Sequence, residues 1–158
     1  MIACTFAGHR ELRRAGMEGL VGIALERLLT MDDSFCFYAG GMGEFDRLCA
    51  RTVCRKRQQH PGKHIELLLV EPYMHKGLND CGRALLAIYD EIIIPMQLST
   101  CHYKAAIRAR NRWMVDHCRF LLAYVDRPYG GAYDTLRYAR SRDTIVWNLA
   151  KRFWQRGS

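Results

Sequence analysis

The residues best equipped for chemistry in this sequence sit in three glycine-bearing stretches. The first is Gly8-His9-Arg10, where glycine permits a tight turn and the His–Arg pair offers two hydrogen-bond donors at the start of the helix expected next. The second, Gly40-Gly41-Met42-Gly43-Glu44-Phe45-Asp46, is a turn of the kind whose backbone can approach a phosphate closely. Asp46, early in the following helix, is placed to cap a backbone N–H or to accept from a ribose or base group. The third runs Arg127-Pro128-Tyr129-Gly130-Gly131-Ala132-Tyr133-Asp134-Thr135 and adds a hydroxyl within reach of a phosphate. Taken alone, Gly8-His9-Arg10 reads also as an ordinary turn with a solvent-exposed cation. A fourth polar run, Arg108 with Arg110-Asn111-Arg112-Trp113-Met114-Val115-Asp116, reads as a helix that is part polar and functional, part core.

Other chemistries are excluded by what is missing. No Gly-Lys-Ser/Thr follows the second turn, so nucleotide hydrolysis by a P-loop is not expected, and no Gly-x-Ser-x-Gly elbow marks an α/β-hydrolase. His60 and His64 flank a turn, while His75, His102 and His117 stand apart, with no HxxxH on an expected helix. The seven cysteines are odd in number and contain no CxxC pair. Neither a metal site nor a disulfide framework is expected, and the cysteines read as small buried hydrophobes in a reducing compartment.

The elements that would position these turns are short apolar strands alternating with amphipathic helices. Strands are expected at Ile2 to Ala7, Phe35 to Ala39, Ile65 to Val70, Glu91 to Ile94, Phe120 to Val125 and Thr144 to Trp147. Several are apolar throughout, the mark of strands covered on both faces in a parallel sheet. Helical periodicity runs over Glu11 to Leu29, Glu44 to Gln59, Leu78 to Tyr89, Tyr103 to His117 and Tyr133 to Ser141, with a last helix from Leu149 to Gln155. In the first helix, Leu12, Ala15, Met17, Leu20, Ile23, Ala24 and Leu28 mark the expected buried stripe. Six alternations of strand and helix predict a doubly wound, Rossmann-like α/β fold with a mostly parallel sheet. In such sheets ligands bind beyond the carboxyl ends of the strands, where all three glycine turns fall.

Size and composition agree with one domain spanning 1–158: the chain is 158 residues long and 49% hydrophobic, enough for a core. Apolar runs are too short for a membrane span and the start does not read as a secretory signal, so a cytoplasmic protein is expected. The net charge of +8 favours a phosphate-bearing partner without separating nucleotide from nucleic acid. The basic groups Arg13-Arg14, Arg51 to Arg57 and Arg137 to Arg142 fall mostly on expected helix faces.

In these motifs the sequence resembles the SLOG superfamily of Rossmann-like nucleotide-binding proteins, in particular its YpsA-like branch of bacterial and phage proteins. The resemblance rests on Thr5-Phe6-Ala7-Gly8-His9-Arg10, on Gly40 to Asp46, on Arg110 to Asp116, and on Gly130-Gly131 with Thr135 and Tyr138-Ala139. It implies a pocket for a nucleotide or a derivative such as ADP-ribose or an NAD-like molecule, with no cofactor required. The implied lining is Gly8, His9, Arg10, Gly40, Gly41, Gly43, Asp46, Arg110, Asn111, Asp116, Gly130, Gly131 and Thr135, with Tyr129 or Tyr133 as stacking surfaces for a base.

The phosphoribohydrolases of the superfamily carry Pro-Gly-Gly-x-Gly-Thr followed by a catalytic glutamate. Here Tyr129 stands at the proline, an extra residue separates Gly131 from Thr135, and Leu136-Arg137-Tyr138 replaces the acidic stretch. No catalytic residue is assigned. Binding or sensing is therefore expected ahead of nucleotide N-glycosidase or phosphoester chemistry, for which Asp46, Asp116 and Asp134 remain candidates, and ahead of DNA binding. Homo-oligomerisation accompanies the fold family, and Phe153-Trp154 reads either as a subunit contact or as a packing stripe.

Overall fold

A computed structural model describes residues 1–151 of the chain. Its elements are β1 (Ile2–Gly8), α1 (Met17–Leu29), β2 (Ser34–Ala39), α2 (Glu44–Gln59), β3 (His64–Val70), α3 (Lys76–Leu86), β4 (Glu91–Ile93), a short 3-10 turn (Met96–Leu98), α4 (Tyr103–Asp116), β5 (Phe120–Tyr124), α5 (Gly131–Arg140) and β6 (Ile145–Asn148). All six strands run parallel in the order β4-β3-β2-β1-β5-β6. This is the doubly wound Rossmann-like α/β fold that the sequence predicts. The chain lays strands outward from β1 on one side, then crosses through α4 and resumes with β5 on the other. That reversal opens a crevice outside the carboxyl ends of β1 and β5.

Strand β5 is apolar throughout because it feeds two cores. In β5, Phe120, Leu122 and Tyr124 join Phe35, Phe37, Val21, Leu25 and Leu28 on the α1/α2 face. Leu121 and Ala123, pointing the other way, pack with Val115, Leu136 and Ala139 beneath α4 and α5. Burying each large apolar side chain stabilises the fold by about 1.5–3 kcal/mol. The alternation therefore makes both layers of helices obligatory.

The main departure from the sequence reading is the start of α1, at Met17 instead of Glu11. Gly16 adopts a left-handed φ of 82° just before the helix. Residues 9–16 instead form a loop pinned to α2: Glu44 N–H donates to the Arg10 carbonyl at 2.9 Å, and Leu12 N–H donates to Glu44 Oε2 at 2.7 Å. Thus His9 and Arg10 do not open a helix, and Arg13-Arg14 lie in the loop. The buried stripe is Met17, Val21, Ala24, Leu25, Leu28 and Leu29, whereas Ile23 is 54% exposed. Smaller shifts occur at α3, which starts two residues early because the His75 side chain accepts from Leu78 N–H, and at α5, whose first turn includes Gly131. Leu149 and Ala150 lie in a turn after β6. The rest of the expected last helix, with Phe153-Trp154, lies outside the described residues.

Gly8 is demanded by packing. A Cβ at this position would stand 2.3 Å from the ring of Phe45, which is fully buried in the first turn of α2. At Gly131 an added Cβ meets nothing within 4 Å. We expect Gly8→Ala to lower unfolding free energy by roughly 1–3 kcal/mol in urea titrations, and Gly131→Ala to leave it unchanged or slightly raised.

Candidate functional site

The crevice is a cleft of about 490 Å³ lined from the ends of β1, β2 and β5 and closed on one side by α4. From the first glycine turn it takes Gly8, His9 and Arg10; from the second, Gly40 and Asp46; from α4, Arg110 and Asn111; from the third turn and α5, Gly130, Gly131 and Thr135. The structure thus brings most of the expected residues together. Gly41, Gly43 and Asp116 are not among the lining.

The second turn is held from within. The Asp46 carboxylate accepts Gly40 N–H on Oδ2 at 2.9 Å and Gly41 N–H on Oδ1 at 2.8 Å. Arg110 takes the other side of the same peptide unit: its Nη1 donates to the carbonyls of Gly40 at 3.0 Å and Val70 at 2.9 Å. Arg110 Nε donates to Asn111 Oδ1 at 2.9 Å, leaving the Asn111 amide nitrogen free of that bond. The amides expected to approach a phosphate are already bonded to a resident carboxylate, and Asp46 neither caps its own helix nor keeps an oxygen unengaged for ribose. Burial pushes the Asp46 carboxyl above its ordinary value, opposed by the two N–H groups and by Arg110. Burial likewise pulls Arg110 down, opposed by Asp46 and Glu71. Gly43, at φ 89°, lets α2 begin against the backbone of Arg10, where a Cβ would come within 2.9 Å of its Cα.

The third turn is open. Gly130, at φ 96°, precedes α5 with no side-chain cap, and nothing lies within 4 Å of a Cβ built on Gly130 or Gly131. First-turn N–H groups have no carbonyl to bond within their own helix. Here they border the cleft through Gly131 and Ala132 at the positive end of the α5 dipole. Thr135 is less available than expected, because its hydroxyl donates to the Gly131 carbonyl at 2.9 Å.

Asp116 is a correction. Ile107, Arg110, Asn111 and Met114 recur at i, i+3, i+4 and i+7 and form the cleft face of α4, which excludes position 116. Its carboxylate instead accepts from the Tyr138 hydroxyl at 2.8 and 3.0 Å and pairs with Arg142 at 3.6 Å. Asp134 pairs with Arg108 at 3.2 Å. The sequence reading missed Asp126, whose Oδ1 lies 2.9 Å from His9 Nε2, and did not single out Glu11, Ile107 or Met114 in the lining. The available signal for Asp126 was position: it closely follows β5 at the sheet's carboxyl edge, next to the Arg127 that opens the third stretch. His9 is 7% exposed, and burial, with Arg127, lowers its pKa against the opposing pull of Asp126. Among the described residues no group of three or more His, Cys, Asp or Glu side chains is arranged to hold a metal. No described helix is long and apolar enough to cross a membrane.

No protein-family model matches the chain. It is 25% identical over 133 residues to the uncharacterized SPbeta prophage-derived protein YoqJ of Bacillus subtilis (strain 168), covering 73% of this chain and 75% of that protein. The fold is shared with DNA processing protein A of Streptococcus pneumoniae, at TM-score 0.62 and 14% identity over 92% of this chain. The chain spans about half, 49%, of that structure's length. DNA processing protein A of Helicobacter pylori, which binds single-stranded DNA, also gives TM-score 0.62 and 14% identity, covering 99% of this chain and 73% of its own. The structural-genomics target TM1055 gives 0.56 and 11%, over 92% and 72%. Fold and cleft together define a Rossmann-like α/β protein.

Two outcomes follow from the buried charges. Arg110→Leu strands the carbonyls of Gly40 and Val70 and removes the cation beside Asp46, so chemical denaturation should show a loss on the order of 3 kcal/mol. His9 is held uncharged by the fold, with a pKa below its ordinary 6.5. Its contribution to stability is therefore complete above pH 6.5 and is lost as pH falls through the lower folded value. Denaturation measured across this range should be less steep in pH for His9→Asn than for the wild type.

Proposed function

We propose that the cleft binds a nucleotide or nucleotide derivative of the ADP-ribose or NAD kind, and that the protein is a binding or sensing member of the SLOG superfamily, in its YpsA-like branch. The observation that carries this reading is the uncapped, sterically open start of α5 at Gly130-Gly131, facing the same cleft as Arg10 and Arg127. A phosphate there would accept from first-turn N–H groups and from arginine. Tyr129, 63% exposed on the rim with Arg127 over its ring at 5.6 Å, offers a base a stacking surface. The likeness to YoqJ supports a bacterial or phage setting, and a cytoplasmic protein able to self-associate completes the proposal.

N-glycosidase chemistry by the expected carboxylates has less support. Asp46 has both oxygens bonded to the second turn, while Asp116 and Asp134 are paired with other side chains. DNA binding draws support from the Helicobacter pylori neighbour. However, the outer arginines are engaged locally: Arg112 and Arg142 both lie over Tyr138, and Arg108 pairs with Asp134. A DNA complex held by phosphate contacts would weaken steeply with salt.

Calorimetry against ADP-ribose, NAD and AMP tests the leading reading, and the absence of binding to all three overturns it. Arg10→Ala should weaken binding about tenfold, roughly 1.4 kcal/mol, without lowering Tm. Asp116→Ala should leave affinity unchanged.

A further inference from the structure

Nucleotide binding through Arg10 and the start of α5 leaves unused a buried histidine that borders the same cleft. We propose that His9 selects an anionic ligand there: Nδ1–H donates to a ligand oxyanion, and the ring takes up a proton on Nε2 as that ligand binds. The inference rests on the cleft holding a nucleotide derivative.

The backbone fixes the tautomer. The Asp126 N–H donates to His9 Nε2 at 3.2 Å, so in the neutral ring Nε2 carries the lone pair and Nδ1 the proton. Nδ1 has no hydrogen-bond partner among the described residues. It is not sealed from solvent either, since the buried side-chain nitrogens and oxygens that lack a partner among those residues belong to Arg57 and Trp113. A residue only 7% exposed that borders the cleft thus turns an unused donor toward whatever enters it.

The same ring has a place for a second proton. Asp126 Oδ1 stands 2.9 Å from Nε2, so protonation exchanges a neutral bond from the Asp126 N–H for a charge-assisted one to its carboxylate. Without ligand the balance favours the neutral ring: burial and Arg127 lower the His9 pKa, and Asp126 opposes them only in part. Tyr124 of β5 meets the ring edge to face at 6.4 Å, and Arg10 and Glu11 follow it along its own loop. Across the cleft, Asp46 and Arg110 are occupied with the second turn. An oxyanion at Nδ1 sets a second negative charge against the imidazolium, offsets Arg127 and raises the pKa of the ring in the complex. Binding and protonation then favour each other. The ligand oxygen that gains most is one charged at neutral pH with no proton of its own, as in a pyrophosphate or phosphodiester. A sugar hydroxyl would gain a neutral bond and draw no proton.

The test is calorimetry of the full chain with ADP-ribose, whose pyrophosphate does not titrate in the range where histidine does, in buffers of low and high ionisation enthalpy. Expected are heats that differ between buffers in the sense of proton uptake, and an affinity that falls by up to about tenfold per pH unit as pH rises through the His9 pKa of the complex. His9→Gln keeps a polar group facing Asp126 but lacks the Nδ1 donor; it should bind about tenfold more weakly, without buffer dependence and with Tm unchanged. His9→Asn, whose amide stands near the place of Nδ1, should recover most of that affinity without the proton uptake. A role confined to tying the end of β1 to the end of β5 gives no buffer dependence and makes Asn the more harmful change. Wild-type binding with equal heats in every buffer, or His9→Gln as tight as wild type, overturns the proposal while the binding reading stands. Absence of binding to ADP-ribose, NAD and AMP overturns both. If neither variant folds, NMR titration of the His9 ring in the wild type decides: a pKa raised by ADP-ribose supports the proposal, and an unmoved one overturns it.

Discussion

Everything at the carboxyl edge of the sheet depends on one peptide unit, Gly40–Gly41, gripped on both sides. Asp46 takes its N–H, that of Gly41, and Arg110 its carbonyl, that of Gly40, and Arg110 also takes the last carbonyl of β3. Strand ends at a cleft normally leave such groups to water or ligand. Here two opposite charges, both buried, satisfy them and each other's field. The grip fixes β2 against β3, seats the start of α2, and fills with a carboxylate the place that an anion could take. The uncapped N–H groups that remain at this edge are those at the start of α5, across the switch point.

The layered fold was legible because its cause is local. Runs such as Phe120-Leu121-Leu122-Ala123 need cover on both faces, and helical periodicity supplies the cover. The site was legible in its membership more than in its roles. That Asp46 and Arg110 meet around Gly40 depends on packing between α2 and α4, which no spacing within either helix encodes. Asp116 was misplaced because a contiguous run was read as one functional unit, whereas a helix turns successive residues to different faces. The pairing of Asp126 with His9 joins residues more than a hundred positions apart, which only the β1–β5 adjacency brings together. The start of α1 was misread because apolar spacing continues through Leu12 and Ala15, while reciprocal bonds with Glu44 hold that segment as a loop.

The charge of the chain is also unevenly available. On the outer faces of α4 and α5, arginines lie over Tyr133 and Tyr138 or pair with Asp116 and Asp134, so a good part of the formal surplus is spent within the surface itself. Arg10 belongs to a different class. Its backbone is moored to α2, and its guanidinium has no assigned carboxylate among the described residues. An unpaired guanidinium on a moored backbone, bordering the same cleft as the open start of α5, concentrates charge at one place where the outer arginines spread it.

The contrast between Gly8 and Gly131 has a meaning for descent as well as for folding. Gly8 is kept by the ring of Phe45, an internal neighbour that persists whether or not anything enters the cleft. Gly131 is kept by nothing inside the molecule. A lineage that lost its ligand would retain the first glycine and let the second drift to larger residues. The two positions therefore form a natural record of whether the cleft is still in use.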